Sequence, residues 1–236
     1  MRVTFIAHSG FLVELEEQLL LFDYSYKELP PLPDKPLTVF VSHSHEDHCN
    51  PAIFRLRTSH TRPVRYLLSR DIRLTAKRCA QWNLSEEDLA VCTTVRPDSS
   101  YELEGLSVET VKSTDLGVAF CVTAEGVSLY HAGDLNWWHW SGESDRFNEN
   151  MARSYEAAMQ KLAGKHFDLA FVPVDGRLGD FAALGADALL RHAGVKRLFP
   201  MHFWEDFSQS TRYARHCPDP CVEVLTMERF LQSWTF

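Results

Sequence analysis

The chain has 236 residues, a formal net charge of −8 at pH 7 and 45% hydrophobic residues. This composition is typical of a folded domain and excludes a disordered or collagen-like chain. The acidic balance disfavours a nucleic-acid binder, because neutralising phosphates requires a basic surface. We expect no membrane-spanning segment, because no run approaches the ~18 apolar residues that such a helix needs. The first residues lack a signal-peptide pattern. We therefore expect one cytoplasmic domain over residues 1–236.

The first fifty residues are predicted to form four strands. These segments are rich in β-branched and aromatic residues, and they are Arg2–Ala7, Phe11–Glu16, Gln18–Asp23 and Thr38–Ser42. Asn50 followed by Pro51 has the pattern of a helix N-cap with proline at the first helical position, which predicts a short helix over Ala52–Arg57. Helical spacing also predicts a helix over Asp71–Trp82, with its aspartate as the cap.

The later part of the chain alternates strands with helices. Strands are predicted over Ala90–Val95, Leu106–Val111, Val118–Thr123, Val127–His131, Leu169–Pro173 and Arg197–Phe199. Helices are predicted over Ala152–Leu162 and Gly185–His192. Two sheets that pack face to face, with helices outside, would satisfy this order of elements, so we expect an α+β protein.

Three histidines and an aspartate lie within six residues, directly after the fourth predicted strand. The segment reads His43-Ser44-His45-Glu46-Asp47-His48. Side chains two residues apart point the same way in an extended chain, so His43, His45 and Asp47 can converge on one point. Imidazole with carboxylate favours zinc, iron or manganese over magnesium. The alternative is a hydrated polar loop, which this density of ligand-type residues disfavours.

The pattern His43-x-His45-x-Asp47-His48 resembles the signature of the metallo-β-lactamase superfamily of hydrolases. Further landmarks of that family have counterparts in the same order along the chain, namely Leu21-Phe22-Asp23, His131-Ala132-Gly133-Asp134 and Pro200-Met201-His202. The opening His8-Ser9-Gly10-Phe11 is similar to the branch that includes ascorbate-6-phosphate lactonase-like proteins. The resemblance implies a four-layer αββα sandwich.

The resemblance also implies a centre for one or two divalent metal ions, zinc first, with manganese and iron as alternatives. In that arrangement Asp47 is catalytic, because it orients a metal-bound hydroxide and relays its proton. Asp23 supports a ligand histidine from behind. Apart from the resemblance, His8 ends the first predicted strand, so it is a candidate for a supporting place beside the metals, with a core or turn-stabilising histidine as the alternative. The implied ligands are His43 and His45 for the first metal, Asp47, His48 and His202 for the second, and Asp134 as the bridge.

One position departs from the family pattern and leaves the number of metals open. Thr114 stands where a third histidine for the first metal is usual. Asp115 is the candidate replacement ligand, with a carboxylate oxygen bound to the metal directly or through a water molecule. The alternatives are that Asp115 holds the turn before the next strand, and that the first metal is bound weakly or is missing.

The substrate is expected to be a small, anionic ester, lactone or phosphodiester, because a dimetal centre attracts anions. Trp137 and Trp138 follow Asp134 and are candidates for the wall of a substrate pocket, with core packing as the alternative. Arg177 is a candidate for binding a phosphate or carboxylate, with a structural pair to Asp175 as the alternative. Two other functions stay open: a nuclease resembling ribonuclease Z, and a metal-binding or metal-sensing protein without turnover.

Overall fold

The computed structural model describes residues Met1–Phe236, and its backbone divides into two units. Unit 1 comprises Met1–Arg96 and Phe230–Phe236, and unit 2 comprises Pro97–Arg229. Each unit contains one seven-stranded mixed sheet together with helices. The predicted α+β class is therefore confirmed. None of the helices combines the length and the apolar character that crossing a membrane requires.

The sheet of unit 1 has the strand order β14-β1-β2-β3-β4-β5-β6. Strands β1 to β3 and β14 pair antiparallel, whereas β3 to β6 run parallel. The parallel strands β3 and β4 are buried along their whole length, as expected for strands covered on both faces. The strands are β1 Arg2–Ala7, β2 Gly10–Glu14, β3 Leu19–Phe22, β4 Leu37–Val41, β5 Val64–Ser69, β6 Cys92–Val95 and β14 Ser233–Thr235.

The connections from β4 to β5 and from β5 to β6 contain helices. Apolar side chains from these connections, including Phe54 and Trp82, pack with Tyr66 of β5 in one hydrophobic cluster. Two segments, Pro51–Arg55 and Arg70–Ile72, are 3₁₀-helical. The α-helices are α1 Leu56–Ser59, α2 Ala76–Trp82 and α3 Glu86–Ala90.

The sheet of unit 2 has the strand order β13-β12-β11-β10-β9-β8-β7. Strands β7 to β10 pair antiparallel and β10 to β13 run parallel. The strands are β7 Ser100–Leu103, β8 Leu106–Lys112, β9 Val118–Ala124, β10 Val127–His131, β11 His166–Pro173, β12 Gly194–Met201 and β13 Glu223–Val224. The helices are α4 Asp145–Gln160, α5 Leu184–His192 and α6 Ser208–His216, and a 3₁₀ segment covers Gly176–Phe181.

Both helices predicted in unit 1 differ from the structure near their starts, and the predicted Ala152–Leu162 helix begins earlier, at Asp145. The predicted Ala52–Arg57 helix is a 3₁₀ segment that leads into α1, and Asn50 caps it through a bond from the N–H of Ala52. The predicted Asp71–Trp82 helix is wrong at its start, because α2 begins at Ala76 with Thr75 as its cap. The Asp71 carboxylate caps nothing and instead accepts a hydrogen bond from the N–H of Ser44. Among the observed elements, the strands β5, β7, β13 and β14 and the helices α3 and α6 have no predicted counterpart.

Candidate metal centre

The site residues of unit 1 follow the carboxyl ends of β3 and β4. Because these strands are parallel, their ends lie at one edge of the sheet, and Asp23 comes beside the segment 42–48. The Asp23 carboxylate accepts bonds from the N–H of Ser42 (2.7 Å) and from its hydroxyl (2.5 Å). Its Oδ2 also lies 2.8 Å from Nδ1 of His48. One buried carboxylate therefore fixes both the start of the histidine segment and the orientation of the His48 ring.

The His43 ring is held in a similar way. Its Nδ1 lies 2.9 Å from the Ser42 hydroxyl, and its Nε2 lies 3.0 Å from Nδ1 of His45. His43 and His48 are fully buried, and their ring centroids are 4.1 Å apart. With Nδ1 engaged in both rings, Nε2 is the nitrogen that each would offer to a metal ion, which is how metal-binding histidines are commonly oriented.

Asp47 and His8 complete the cluster of unit 1. Nε2 of His8 lies 3.4 Å from Oδ2 of Asp47, and the His8 ring meets the His48 ring edge-on with centroids 5.4 Å apart. The ligand atoms of His8, Asp47 and His48 all lie within 4.8 Å of one another. The Asp47 side chain keeps a quarter of its surface exposed, whereas His8 has none.

Asp71 also helps to position the histidine segment, a role that was not predicted from the sequence. Its Oδ2 accepts a 2.8 Å bond from the backbone N–H of Ser44, between the two leading histidines. The signal that would have found it is its place two residues after β5, a parallel strand next to β4. Without β5 among the predicted strands, Asp71 has no predicted neighbour at this edge.

The site residues of unit 2 follow the carboxyl ends of β10, β11 and β12, which are parallel neighbours. Nε2 of His202 lies 3.2 Å from Oδ1 of Asp134, and Nδ1 of His202 lies 2.9 Å from Oδ2 of Asp175. Burial opposes ionisation of Asp175, but bonds from His202 and Arg177 outweigh it and hold the pKa of this carboxyl well below its usual range. Asp175 is therefore a charged anchor for the His202 ring.

A succession of contacts runs from the Arg177 side chain through Trp140 and Trp138 to the His202 ring. The Arg177 guanidinium, about half exposed, binds both oxygens of Asp175, so the structural pair left open by the sequence is present. It also lies over the Trp140 ring at 5.8 Å. Trp140 stacks on Trp138 with centroids 6.3 Å apart, and Trp138 meets the edge of His202 at 5.3 Å.

The other tryptophan predicted here, Trp137, is half-buried and packs near Tyr155, with centroids 6.2 Å apart. Trp138 is buried, and its indole N–H donates to the backbone oxygen of Asp134. Trp138 therefore ties the loop that follows Asp134 to the site, whereas Trp137 packs toward α4.

Thr114 and Asp115 occupy the position where the family pattern has its third histidine. The Thr114 hydroxyl donates to the backbone oxygen of Asn136 (2.6 Å) and accepts from its N–H (3.1 Å). Thr114 therefore closes the loop that follows Asp134. Asp115 is exposed, and one of its oxygens lies within 4.8 Å of an Asp134 oxygen. Its backbone N–H bonds to the Ser113 hydroxyl.

The donor atoms in each unit suit a borderline-soft divalent metal. They are imidazole nitrogens and carboxylate oxygens, with neighbouring donors 3.0 to 3.4 Å apart. Two donors at the usual bond length from one tetrahedral zinc ion lie about 3.4 Å apart. The residues therefore fit a metal, and their chemistry favours zinc, iron or manganese.

Comparison with known proteins gives a consistent picture. A family model described as "Beta-lactamase superfamily domain" matches residues 2–141. A "UPF0173 metal-dependent hydrolase" from Opitutus terrae is 30% identical over 217 residues, which cover 86% of this chain and 85% of that protein.

Two solved structures show the fold. The metallo-β-lactamase fold protein YhfI from Bacillus subtilis matches with a TM-score of 0.56 and 15% identity over 99% of both chains. CmlA, a diiron β-hydroxylase from Streptomyces venezuelae, matches all of this chain with a TM-score of 0.63 and 12% identity, and the chain spans about half (54%) of its length. The fold class is thus that of the metallo-β-lactamases.

Proposed function

Because the chain belongs to the metallo-β-lactamase superfamily and is a metal-dependent hydrolase of it, we propose that it hydrolyses a small, anionic ester, lactone or phosphodiester. The observation that carries this proposal is the arrangement of His43 and His48. Both rings are buried, and both have Nδ1 engaged by Ser42 or Asp23. Imidazoles oriented in this way suit a metal ion better than a hydrated loop.

We propose that the ligands are those implied by the resemblance. In unit 1 these are His43, His45, Asp47 and His48. In unit 2 they would be Asp134, His202 and Asp115, the last in place of the family's third histidine. Support comes from the family relationship and from the donor distances within each unit. We propose zinc as the resident metal. Iron has to be tested beside it, because CmlA, which shares only the fold, is a diiron protein.

A bound divalent metal would lower the pKa of a water ligand toward about 7 and polarise the carbonyl or phosphoryl oxygen of the substrate. The chain's own residues would supply orientation and proton transfer. The Asp47 carboxylate lies beside the ligand histidines, and part of its surface is exposed. It can therefore take and relay the proton of the attacking water. Asp23 and Asp175 would hold His48 and His202 in place.

The proposed substrate contacts come from Trp137, Trp138 and Arg177. Support is strongest for Arg177, because its guanidinium is half exposed and yet held rigidly by Asp175 and Trp140. A guanidinium ordered in advance loses little conformational freedom when it binds an anion. The proposed anionic character of the substrate is thereby supported independently of the metal.

The test combines metal analysis with hydrolysis assays. We expect purified protein to retain zinc or iron and to hydrolyse a chromogenic phosphodiester or a member of a lactone panel. Asp47→Ala should lower kcat by about 10²- to 10⁴-fold, the usual contribution of a positioned acid or base. Glu46→Gln is the matched control, because Glu46 is exposed in the same segment and is not a proposed ligand.

Full activity of Asp47→Ala would contradict the proposed role of that residue. Tight metal retention without turnover on any substrate would favour the metal-binding alternative. Cleavage of RNA, with activity that falls steeply as salt rises, would favour the nuclease.

A further inference from the structure

His8 lies in a backbone conformation that needs explanation. It is the first residue of the two-residue loop, His8-Ser9, between β1 and β2, and its φ is +52°. Hairpin loops with positive φ at this position prefer glycine, because a side chain there crowds the backbone. Strain of this kind persists where the surroundings impose it, and it concentrates at functional sites.

The loop is also pressed closely onto the metal-site edge of unit 1. A Cβ atom on Gly10 would lie 3.0 Å from the backbone oxygen of Ala7 and 3.1 Å from that of Asp23. The pairing of β1 with β2 shifts register between Phe5 and Ala7. Irregularities of this type re-aim a side chain at the end of a strand. The strand end, the loop and Gly10 together place the His8 ring beside Asp47 and His48.

The distance between His8 and Asp47 distinguishes two roles. Nε2 of His8 and Oδ2 of Asp47 are 3.4 Å apart, which exceeds the 2.7–3.2 Å range of N–H···O hydrogen bonds. It matches the separation of about 3.4 Å expected for two ligands of one tetrahedral zinc ion. His8 is fully buried, and its ligand atom lies within 4.8 Å of those of Asp47 and His48.

From this geometry we infer that His8 is a direct metal ligand, which shares an ion with Asp47 and His48. Unit 1 would then supply three ligands to this ion, namely His8, Asp47 and His48. The family pattern implies only the last two of them. The inference rests on the proposed function, since it requires that the protein binds metal. It also gives the strained His8 conformation a purpose, because a glycine in this loop would supply no donor atom.

The decisive experiment is nuclear magnetic resonance of the full chain with ¹⁵N-labelled histidine and bound ¹¹³Cd²⁺. A nitrogen that is a ligand shows one-bond coupling to cadmium, whereas an imidazole that only hydrogen-bonds to a ligand shows none. We expect one coupled ring nitrogen to disappear in His8→Asn, a variant chosen because asparagine tolerates positive φ. The zinc Kd of this variant, from chelator competition, should rise at least about tenfold.

The matched control is His60→Asn, because the His60 ring bonds to the backbone oxygen of Lys35 in the same unit. It should leave every cadmium coupling in place. An identical set of couplings in the wild type and in His8→Asn would overturn the inference while leaving the proposed function intact. No coupling to any histidine would remove the proposed metal centre itself, and with it the role of His8.

Discussion

Single buried carboxylates set the orientation of the imidazoles in both units. Asp23 binds His48 in unit 1, and Asp175 binds His202 in unit 2. Each also binds a second group, the Ser42 hydroxyl or the Arg177 guanidinium, which restricts its own rotation. An imidazole held in this way has its ligand nitrogen fixed before an ion arrives, which raises metal affinity.

Thr114 shows how a single departure from a family pattern can acquire a structural role. Its hydroxyl both donates to and accepts from the backbone of Asn136. We expect Thr114→Val to lower the free energy of unfolding by about 1–3 kcal/mol, because the partly buried N–H and oxygen of Asn136 lose their partner. Thr114→Ser keeps the hydroxyl and should stay close to the wild type in a urea titration. Equal destabilisation by valine and serine would show that the hydroxyl bonds contribute little.

The elements that carry the site share one geometric property. Every candidate ligand except His8 and Asp115 follows the carboxyl end of a parallel strand, namely β4 in unit 1 and β10 and β12 in unit 2. Polar residues at such ends meet at one sheet edge while the strands themselves stay apolar. The hydrophobic sequences that form each sheet therefore also determine where its ligands lie.

The short helix α3 depends on a charged capping arrangement. The Ser85 hydroxyl and the Asp88 carboxylate bond each other's backbone N–H, and Arg57 also binds Asp88. Burial raises the pKa of Asp88, but the bonds from Ser85 and Arg57 outweigh it and leave the pKa below its ordinary value. A carboxyl whose pKa is lowered by folding stabilises the fold above its unfolded pKa of about 4, and this contribution is lost as the pH falls below that.

We therefore expect Asp88→Asn to lower the free energy of unfolding at pH 7 by about 1–3 kcal/mol, since a partly buried hydrogen bond between charged groups is lost. The difference between the variant and the wild type should shrink as the pH falls from 5 toward 3. Urea titrations across that range measure it, with the exposed Glu86→Gln as the control in the same helix turn. A difference that stays constant with pH would contradict the assigned ionisation.

At the scale of the whole molecule, metal should contribute to stability. An ion that binds only the folded chain stabilises it by about 2.7 kcal/mol when its free concentration is a hundred times its Kd. In a chain of this length that corresponds to a rise in Tm of roughly 5–10 °C. We expect chelator treatment to lower the Tm by this amount, and added zinc to restore it. Magnesium, which prefers oxygen ligands, should restore little.

Differential scanning calorimetry of the chelated, zinc-loaded and magnesium-loaded protein provides the measurement. Identical melting curves for the chelated and zinc-loaded samples would contradict metal binding by the folded chain.

The sequence by itself determined most of the strands and the residues with ligand chemistry. Hydrophobic runs such as the one in β4 identify buried strands, and three histidines with an aspartate in six residues identify a metal-binding segment. It did not determine β5, whose Val64–Ser69 stretch contains Arg65 and follows no alternating pattern. Because β5 was not predicted, the position of Asp71 near Ser44 was not predicted either.

Tertiary structure alone decided which partner each polar residue takes. Asp71 binds Ser44 instead of capping a helix, and His8 approaches Asp47 from 39 positions away in the chain. Periodicity records which face of an element is buried, because burial repeats along the chain. It does not record which distant group lies opposite, because that depends on how the strands are ordered in the sheet.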